Sequence, residues 1–328
     1  MEPEQFQQVF KRLETEVQKV IVGHDDLIRK VLIAFFAGGH VLLEGVPGLG
    51  KTLLVKALSH ALGMSFKRIQ FTPDLMPSDI VGTEVLTDTS GRREFQFKKG
   101  PIFAHVVLAD EINRATPKTQ SAVLEAMEER QVTVFGESHI LTSPFIVLAT
   151  QNPIELEGTY PLPEAQLDRF FFKLLVTPPA PAELREILKR TTGTEVTDAA
   201  KVLPDDNGEL VNTMKQLLRQ VMIAPPIEDY VVRLVHATQL ESQNGGPVKS
   251  SVKQYIRFGS SPRGAQSIIL GAKGNALAEG RVHVSYEDVE KTVIPALRHR
   301  IILNFQAEAE NISADQVIGE VIKQVPRN

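Results

Sequence analysis

The chain has 328 residues, enough for two domains, and at 42% hydrophobic and 23% charged it has the composition of an ordinary globular protein. Its formal net charge of −4 gives no general attraction to nucleic acid or anionic membranes, and the absence of cysteine excludes disulfides, thiolate zinc sites and Fe–S clusters. No run of about 18 apolar residues occurs and the N-terminus (Met1-Glu2-Pro3-Glu4) is acidic, so neither a membrane span nor a signal peptide is expected, and a reducing, cytoplasmic setting is.

Phe6, Phe10, Leu13, Val17 and Val20 recur at helical spacing and predict an amphipathic N-terminal helix. Ile21-Val22-Gly23 breaks it. A second helix is predicted over 25–37, with two aspartates at its positive end and Gly38-Gly39 after it. Val41, Leu42 and Leu43 then read as a buried strand. The turn that follows runs Gly45-Val46-Pro47-Gly48-Leu49-Gly50-Lys51-Thr52-Leu53. Gly45, Gly50, Lys51 and Thr52 fit the G-x-x-x-x-G-K-[ST] spacing of a phosphate-binding P-loop, and Leu54, Leu58 and Leu62 continue it as a helix. Glycines let backbone N–H groups curl round an anion, and the helix N-terminus adds partial positive charge. Lys51 opposes the helix dipole unless an anion stands before it; the motif aims it at the β/γ-phosphates and sets the Thr52 hydroxyl against Mg²⁺.

Apolar runs at 66–71, 106–109, 145–149 and 171–176 predict further strands, with a helix over 117–129 capped by Thr116 and opened by Pro117. Apolar strands alternating with helices imply a parallel sheet of about five strands covered on both faces. Two stretches interrupt the alternation. Residues 74–101 carry prolines, glycines and a polar tract, and 131–143 suggest a hairpin turning near Gly136-Glu137. Pattern alone leaves both open between inserted structure and solvated loops. Pro178-Pro179-Ala180-Pro181 marks a boundary, and the division is expected at 1–178 and 179–328. Beyond it helices are predicted at 181–190, 209–222, 227–242, 262–279 and 285–298, with a turn or loop at Asn244-Gly245-Gly246-Pro247.

The strand at 106–109 ends in Asp110-Glu111. After a P-loop, the acid at such a strand end helps hold Mg²⁺, which falls to Asp110, and Glu111 is placed to polarise a water. Asn152 either lies near the γ-phosphate, if its strand adjoins the P-loop strand, or merely begins a turn with Pro153. Arg169, before the last strand, says little by itself. Ser261-Pro262-Arg263 opens a helix and repeats the oddity of Lys51, a cation at a positive helix end that a bound phosphate would resolve.

In order, these residues resemble an AAA+ ATPase, and more narrowly the MoxR family. The likeness rests on the P-loop, Leu108-Ala109-Asp110-Glu111-Ile112-Asn113-Arg114-Ala115, Ala149-Thr150-Gln151-Asn152-Pro153-Ile154-Glu155, Glu164-Ala165-Gln166-Leu167-Asp168-Arg169-Phe170 and Ser261-Pro262-Arg263. It implies an α/β AAA+ core with a five-stranded parallel sheet and a small α-helical lid. It also implies Val22 and Gly23 near the adenine, Asn152 as sensor 1, Arg263 as sensor 2, and Arg169 as an arginine finger on a neighbouring subunit's γ-phosphate. ATP and Mg²⁺ would be the ligands, bound at the interfaces of a homo-oligomeric ring, often hexameric. The two inserted stretches would be a helix-2 insert and a pre-sensor-1 hairpin facing the pore or a partner. The family's work is chaperone-like activation or assembly of protein complexes, often with a von Willebrand A domain partner; no D-x-S-x-S site of such a domain occurs in this chain. A nucleic-acid motor or loader is disfavoured by the net charge, although Arg92-Arg93 and Lys98-Lys99 leave it open; a nucleotide-controlled scaffold is disfavoured by intact Asp110, Glu111 and Asn152. A small-molecule kinase lacks a visible acceptor site.

Overall fold

A computed structural model of the chain describes residues 1–89, 92–154, 158–193, 198–204, 208–239 and 254–327. Helix α1 (Pro3–Val20) turns Phe6, Phe10, Leu13 and Val17 inward. Helix α2 (Asp25–Ala37) ends at Gly38, whose left-handed φ of 79° suits glycine. Phe6 and Phe10 meet Phe36 across the two helices, ring centroids 5.3 and 6.2 Å apart.

The chain then alternates between strands and helices. Strand β1 (Val41–Glu44) leads through the P-loop into α3 (Lys51–Ala61) and β2 (Phe66–Gln70). Helix α4 (Pro77–Val81) precedes a hairpin of β3 (Gly82–Thr89) and β4 (Arg92–Lys99). Next come β5 (Val106–Asp110), α5 (Pro117–Glu129), a hairpin of β6 (Gln131–Val134) and β7 (Glu137–Ile140), then β8 (Ile146–Gln151), α6 (Glu164–Leu167) and β9 (Phe172–Leu175).

Five strands form one parallel sheet in the order β2-β5-β8-β1-β9. Strand β1 therefore lies between β8 and β9, with Glu44 opposite Gln151 and Leu175. The strands are buried on both faces, and alternate residues feed two cores. Val41, Leu43, Val106, Leu108 and Leu148 face α1 to α3; Leu42, Val107, Ala109, Val147 and Ala149 face Val123, Leu124 and Met127 of α5. Edge strand β2 departs from the apolar reading, for Lys67 and Arg68 are exposed on it.

The hairpin expected within 131–143 is present and turns one residue earlier, at Phe135-Gly136, both at positive φ (49° and 86°). The β3–β4 hairpin falls in a stretch where prolines, glycines and polar residues hid any strand pattern. It stands largely in solvent: Leu86 and Phe95 pair across it at 55% and 71% exposure. Phe97 anchors it, stacked on His139 of β7 at 4.0 Å and edge-on to Phe103 at 5.7 Å.

After β9 come α7 (Pro181–Thr192), α8 (Gly208–Gln220), α9 (Pro225–His236), α10 (Pro262–Ala278) and α11 (Tyr286–Leu297), close to the helices expected. A short antiparallel pair, β10 (Ile256–Phe258) with β11 (Ile302–Leu303), and helices α12 (Phe305–Ala309) and α13 (Ala314–Gln324) were not expected. The 244–247 turn and the end of the 227–242 prediction lie outside the described residues. Helix α10 is seated against the first part of the chain by close approach. A Cβ on Gly271 would stand 2.8 Å from both the Phe172 ring and Thr292, and one on Gly274 would stand 2.7 Å from Ile33. The core on that face runs on from α1–α3 into α8–α11 and α13.

Candidate nucleotide site

The P-loop sits where β1 ends. Gly45 passes so near β9 that a Cβ there would meet the Val176 carbonyl at 2.6 Å. Gly48 and Gly50 take left-handed φ of 83° and 76° with nothing packed against either, so the loop stays open on that side. Among the described residues, no group accepts from the N–H of Gly48, Leu49 or Gly50. Unclaimed N–H groups on a glycine turn at a helix start fit an anion. The Lys51 ammonium is drawn into the loop by the carbonyls of Gly45 and of Val46, the latter at 3.0 Å. Burial lowers the lysine's pKa, while the charges of Asp110 and Glu111 pull it back up. Thr52 is half-buried in the first turn of α3, and Val46, Pro47 and Leu53 flank the loop, Pro47 and Leu53 exposed.

Asp110 and Glu111 stand at the end of β5, across β8 from β1. Asp110 is buried; its Oδ1 accepts the Thr150 hydroxyl at 2.6 Å and its Oδ2 accepts Arg68 at 2.7–2.9 Å. Oδ1 keeps a lone pair for a cation, so Asp110 and Thr52 fit a hard divalent ion with oxygen ligands. Glu111 adopts a left-handed backbone (φ 56°, ψ 50°), which costs a non-glycine residue roughly 1 kcal/mol. Its N–H donates to the Thr150 hydroxyl at 2.8 Å, and its carboxylate accepts Gln70 at 2.8 Å and Arg114 at 3.0 Å. Strand β8 does adjoin β1, and Gly45 N–H donates to Gln151 O at 3.2 Å. Asn152, next in line, is buried beside the P-loop with its Oδ1 accepting Ile154 N–H at 3.2 Å, so it both starts a turn and lies at the loop.

Val22 and Gly23 are half-buried between α1 and α2. Gly23, at φ 72°, faces Glu183 of α7, whose carboxylate would lie 2.6 Å from a Cβ. Helix α7 thus closes over the segment.

Arg169 and Arg263 lie elsewhere. Arg169 donates to Glu128 at 2.7 Å and to Leu124 O at 2.7 Å. Arg263 bonds the other oxygen of Glu128 and reaches Asp168 at 3.5 Å. Asp168 also takes the buried Arg300 at 2.8 Å and the Ser261 hydroxyl at 2.7 Å. Glu128, Asp168, Arg169, Arg263 and Arg300, with His40, line a cavity of about 240 Å³. His40 directly precedes β1 and the P-loop directly follows it, so the arginines stand at the opposite end of a four-residue strand, roughly 13 Å long. The structure brings Arg263 to Arg169 and not to the chain's own P-loop. Two carboxylates, rather than a phosphate, meet the charge at the start of α10. Sequence reasoning gave no role to Arg68, Gln70, Glu128, Asp168, Arg300 or Thr150; only Asp168 and Thr150, which stand inside the quoted motifs, carried a signal.

Residues 40–172 match the ATPase family associated with various cellular activities (AAA), and 248–321 match the AAA lid domain. The chain is 46% identical to Chaperone MoxR1 of Mycobacterium tuberculosis over 310 residues, 94% of this chain and 80% of that one. It is 31% identical to Protein MoxR of Methylorubrum extorquens over 327 residues, 96% and 92% of the two chains. A crystal structure of a candidate ATPase from Cytophaga hutchinsonii superposes with a TM-score of 0.89 at 40% identity, covering 99% of this chain and 96% of that one. The core and lid matches and these full-length relatives show that the chain belongs to the MoxR family of AAA+ ATPases.

Proposed function

We propose that this chain hydrolyses ATP at a site shared between two copies, which close into a ring, hexameric as the resemblance implies. One observation supports this above the rest: Arg169 and Arg263 sit together at the end of β1 opposite the P-loop. The arginines near the P-loop, Arg68 and Arg114, are occupied with Asp110 and Glu111. Charge on a transferring phosphoryl group is therefore met from the next copy.

In this reading the loop N–H groups from Gly45 to Leu53 cradle the phosphates, and Val22 and Gly23 border the adenine. Lys51 turns from the carbonyls of Gly45 and Val46 to the β/γ-oxygens. Thr52 and Asp110 would hold Mg²⁺, which supplies charge neutralisation across those oxygens. Glu111 orients and deprotonates water, and Asn152 aligns it with the γ-phosphate. The neighbour's Arg169 and Arg263 stabilise the equatorial oxygens, an effect worth roughly 10³–10⁵ in rate for arginine fingers.

The division into a nucleotide-binding unit, 1–178, and a lid, 179–328, belongs to the same proposal; the two family matches fall on either side of it. The client work is chaperone-like, as the name of the mycobacterial relative states for that protein, with maturation of a protein complex and a von Willebrand A domain partner as the resemblance implies. Support for a client surface comes from Phe95, Phe135 and Ile140, each at least 71% exposed on the two hairpins.

The test is phosphate release per subunit against protein concentration, with sizing in ATP. Wild-type specific activity is expected to rise as larger particles form. Arg169→Ala is expected to bind ATP as wild type does and to turn over roughly 10³-fold more slowly. Activity independent of concentration in a persistent monomer overturns the shared site.

A further inference from the structure

Glu128 carries an arginine on each carboxylate oxygen, Arg169 on Oε2 at 2.7 Å and Arg263 on Oε1. Asp168 binds Arg263 and Arg300. Three guanidiniums thus share two carboxylates, and Arg130 lines the same cavity, so the charge there is positive among the described residues. The two acids are not equivalent. Asp168 is fixed by a buried Arg300, whose side chain is 2% exposed. Glu128 is one-third exposed at 33% and holds only groups that are themselves partly in solvent.

A carboxylate and a phosphate offer guanidinium the same paired oxygens. We propose that Glu128 is a stand-in for the neighbouring copy's terminal phosphate. It holds Arg169 and Arg263 together in the separate subunit and gives them up when that phosphate arrives. The arginines thereby reach the interface already paired. Glu128 remains beside the incoming anion and opposes it, which sets the concentration at which assembly switches on hydrolysis. Glu128 is a positioning residue in this account. The inference rests on the shared-site reading above.

The experiment compares wild type, Arg169→Ala, Glu128→Gln and Glu128→Ala, reading phosphate release against protein concentration in ATP. Glu128→Gln keeps the shape and removes the charge. Its half-maximal concentration is expected to fall about fivefold, the scale of one partly exposed ion pair. A residue serving structure alone would not ease assembly when altered. A half-maximal concentration that is unchanged or raised in Glu128→Gln overturns the proposal, as does failure of both Glu128 variants to fold. Should only Glu128→Gln fail, Glu128→Ala is read by the same criterion. If wild-type activity does not depend on concentration, or Arg169→Ala turns over normally, the shared site fails and the role of Glu128 falls with it. If those controls behave and Glu128→Gln does not shift, the role of Glu128 alone is wrong.

Discussion

Protonating His40 would break a hydrogen bond at the root of the sheet. Its Nδ1 accepts Val147 N–H at 2.9 Å and its Nε2 lies 3.1 Å from Met127 O, an arrangement that needs the neutral ring with its proton on Nε2. Burial, aided by Arg130, holds its pKa well below the ordinary value. His299 is alike: burial and Arg300 depress it, and its buried Nδ1 has no hydrogen-bond partner among the described residues while Nε2 faces Phe170 O at 2.9 Å. In the unfolded chain both rings take a proton near pH 6.5, whereas the native state leaves them neutral. The unfolded state therefore binds more protons below that pH. Stability is full above about pH 6.5 and is lost as pH falls toward the depressed native values, by up to ~1.4 kcal/mol per pH unit for each ring. Thermal unfolding from pH 7.5 to 5 is expected to show this fall. His40→Asn, which keeps an acceptor for Val147 but cannot titrate, is expected to be less stable at neutral pH and flatter below it. A wild-type midpoint unchanged down to pH 5 contradicts the assignment. Neither histidine drew notice in the sequence, because an isolated histidine carries no sign of the burial that makes it matter.

At the scale of elements, legibility followed local chemistry. Helices α2, α3, α5 and α10 begin where they were expected, at Asp25, Lys51, Pro117 and Pro262, because a preceding glycine turn or a proline at the first position acts locally; of the two expected caps, Ser261 accepts Arg263 N–H, whereas Thr116 holds the cap position without a side-chain bond to the helix. The β3–β4 hairpin was not read, since a strand pair in solvent needs no apolar face. The P-loop and Asp110-Glu111 could be read for their fixed spacing. The pairing of Arg169 with Arg263 could not, because it joins the end of one unit to a helix start 94 positions later through a glutamate with no motif of its own (263 − 169 = 94). Helix α11 gives a test of local reasoning against tertiary reasoning. Ser285 caps it, its Oγ accepting Asp288 N–H at 3.3 Å in a capping box. Asp288 is 1% exposed and takes both ends of Arg281 at 2.7 Å. Ser285→Ala is expected to cost about 1 kcal/mol in urea unfolding. Arg281→Ala, which strands a buried carboxylate, is expected to cost about 3 kcal/mol. Equal losses would mean that the cap, and not the ion pair, holds Asp288.

For the whole molecule, β1 is a short strut with a different cluster of charged or phosphate-binding groups at each end. One end carries the P-loop and the other the paired arginines, and in the shared-site proposal each end is completed by a different subunit. Copies joined as the shared-site proposal requires would associate head to tail, and an open row would leave one P-loop and one arginine pair unmatched. Closure into the proposed ring would remove both loose ends. The separation also means that damage at one end is invisible at the other. Lys51→Ala spoils the receiving end and spares the giving one; Arg169→Ala does the reverse. Each is expected to be inactive by itself, yet mixed in equal amounts before ATP is added they should restore activity at about a quarter of the interfaces, where an intact P-loop meets an intact arginine by chance. Two silent proteins would then make one working enzyme.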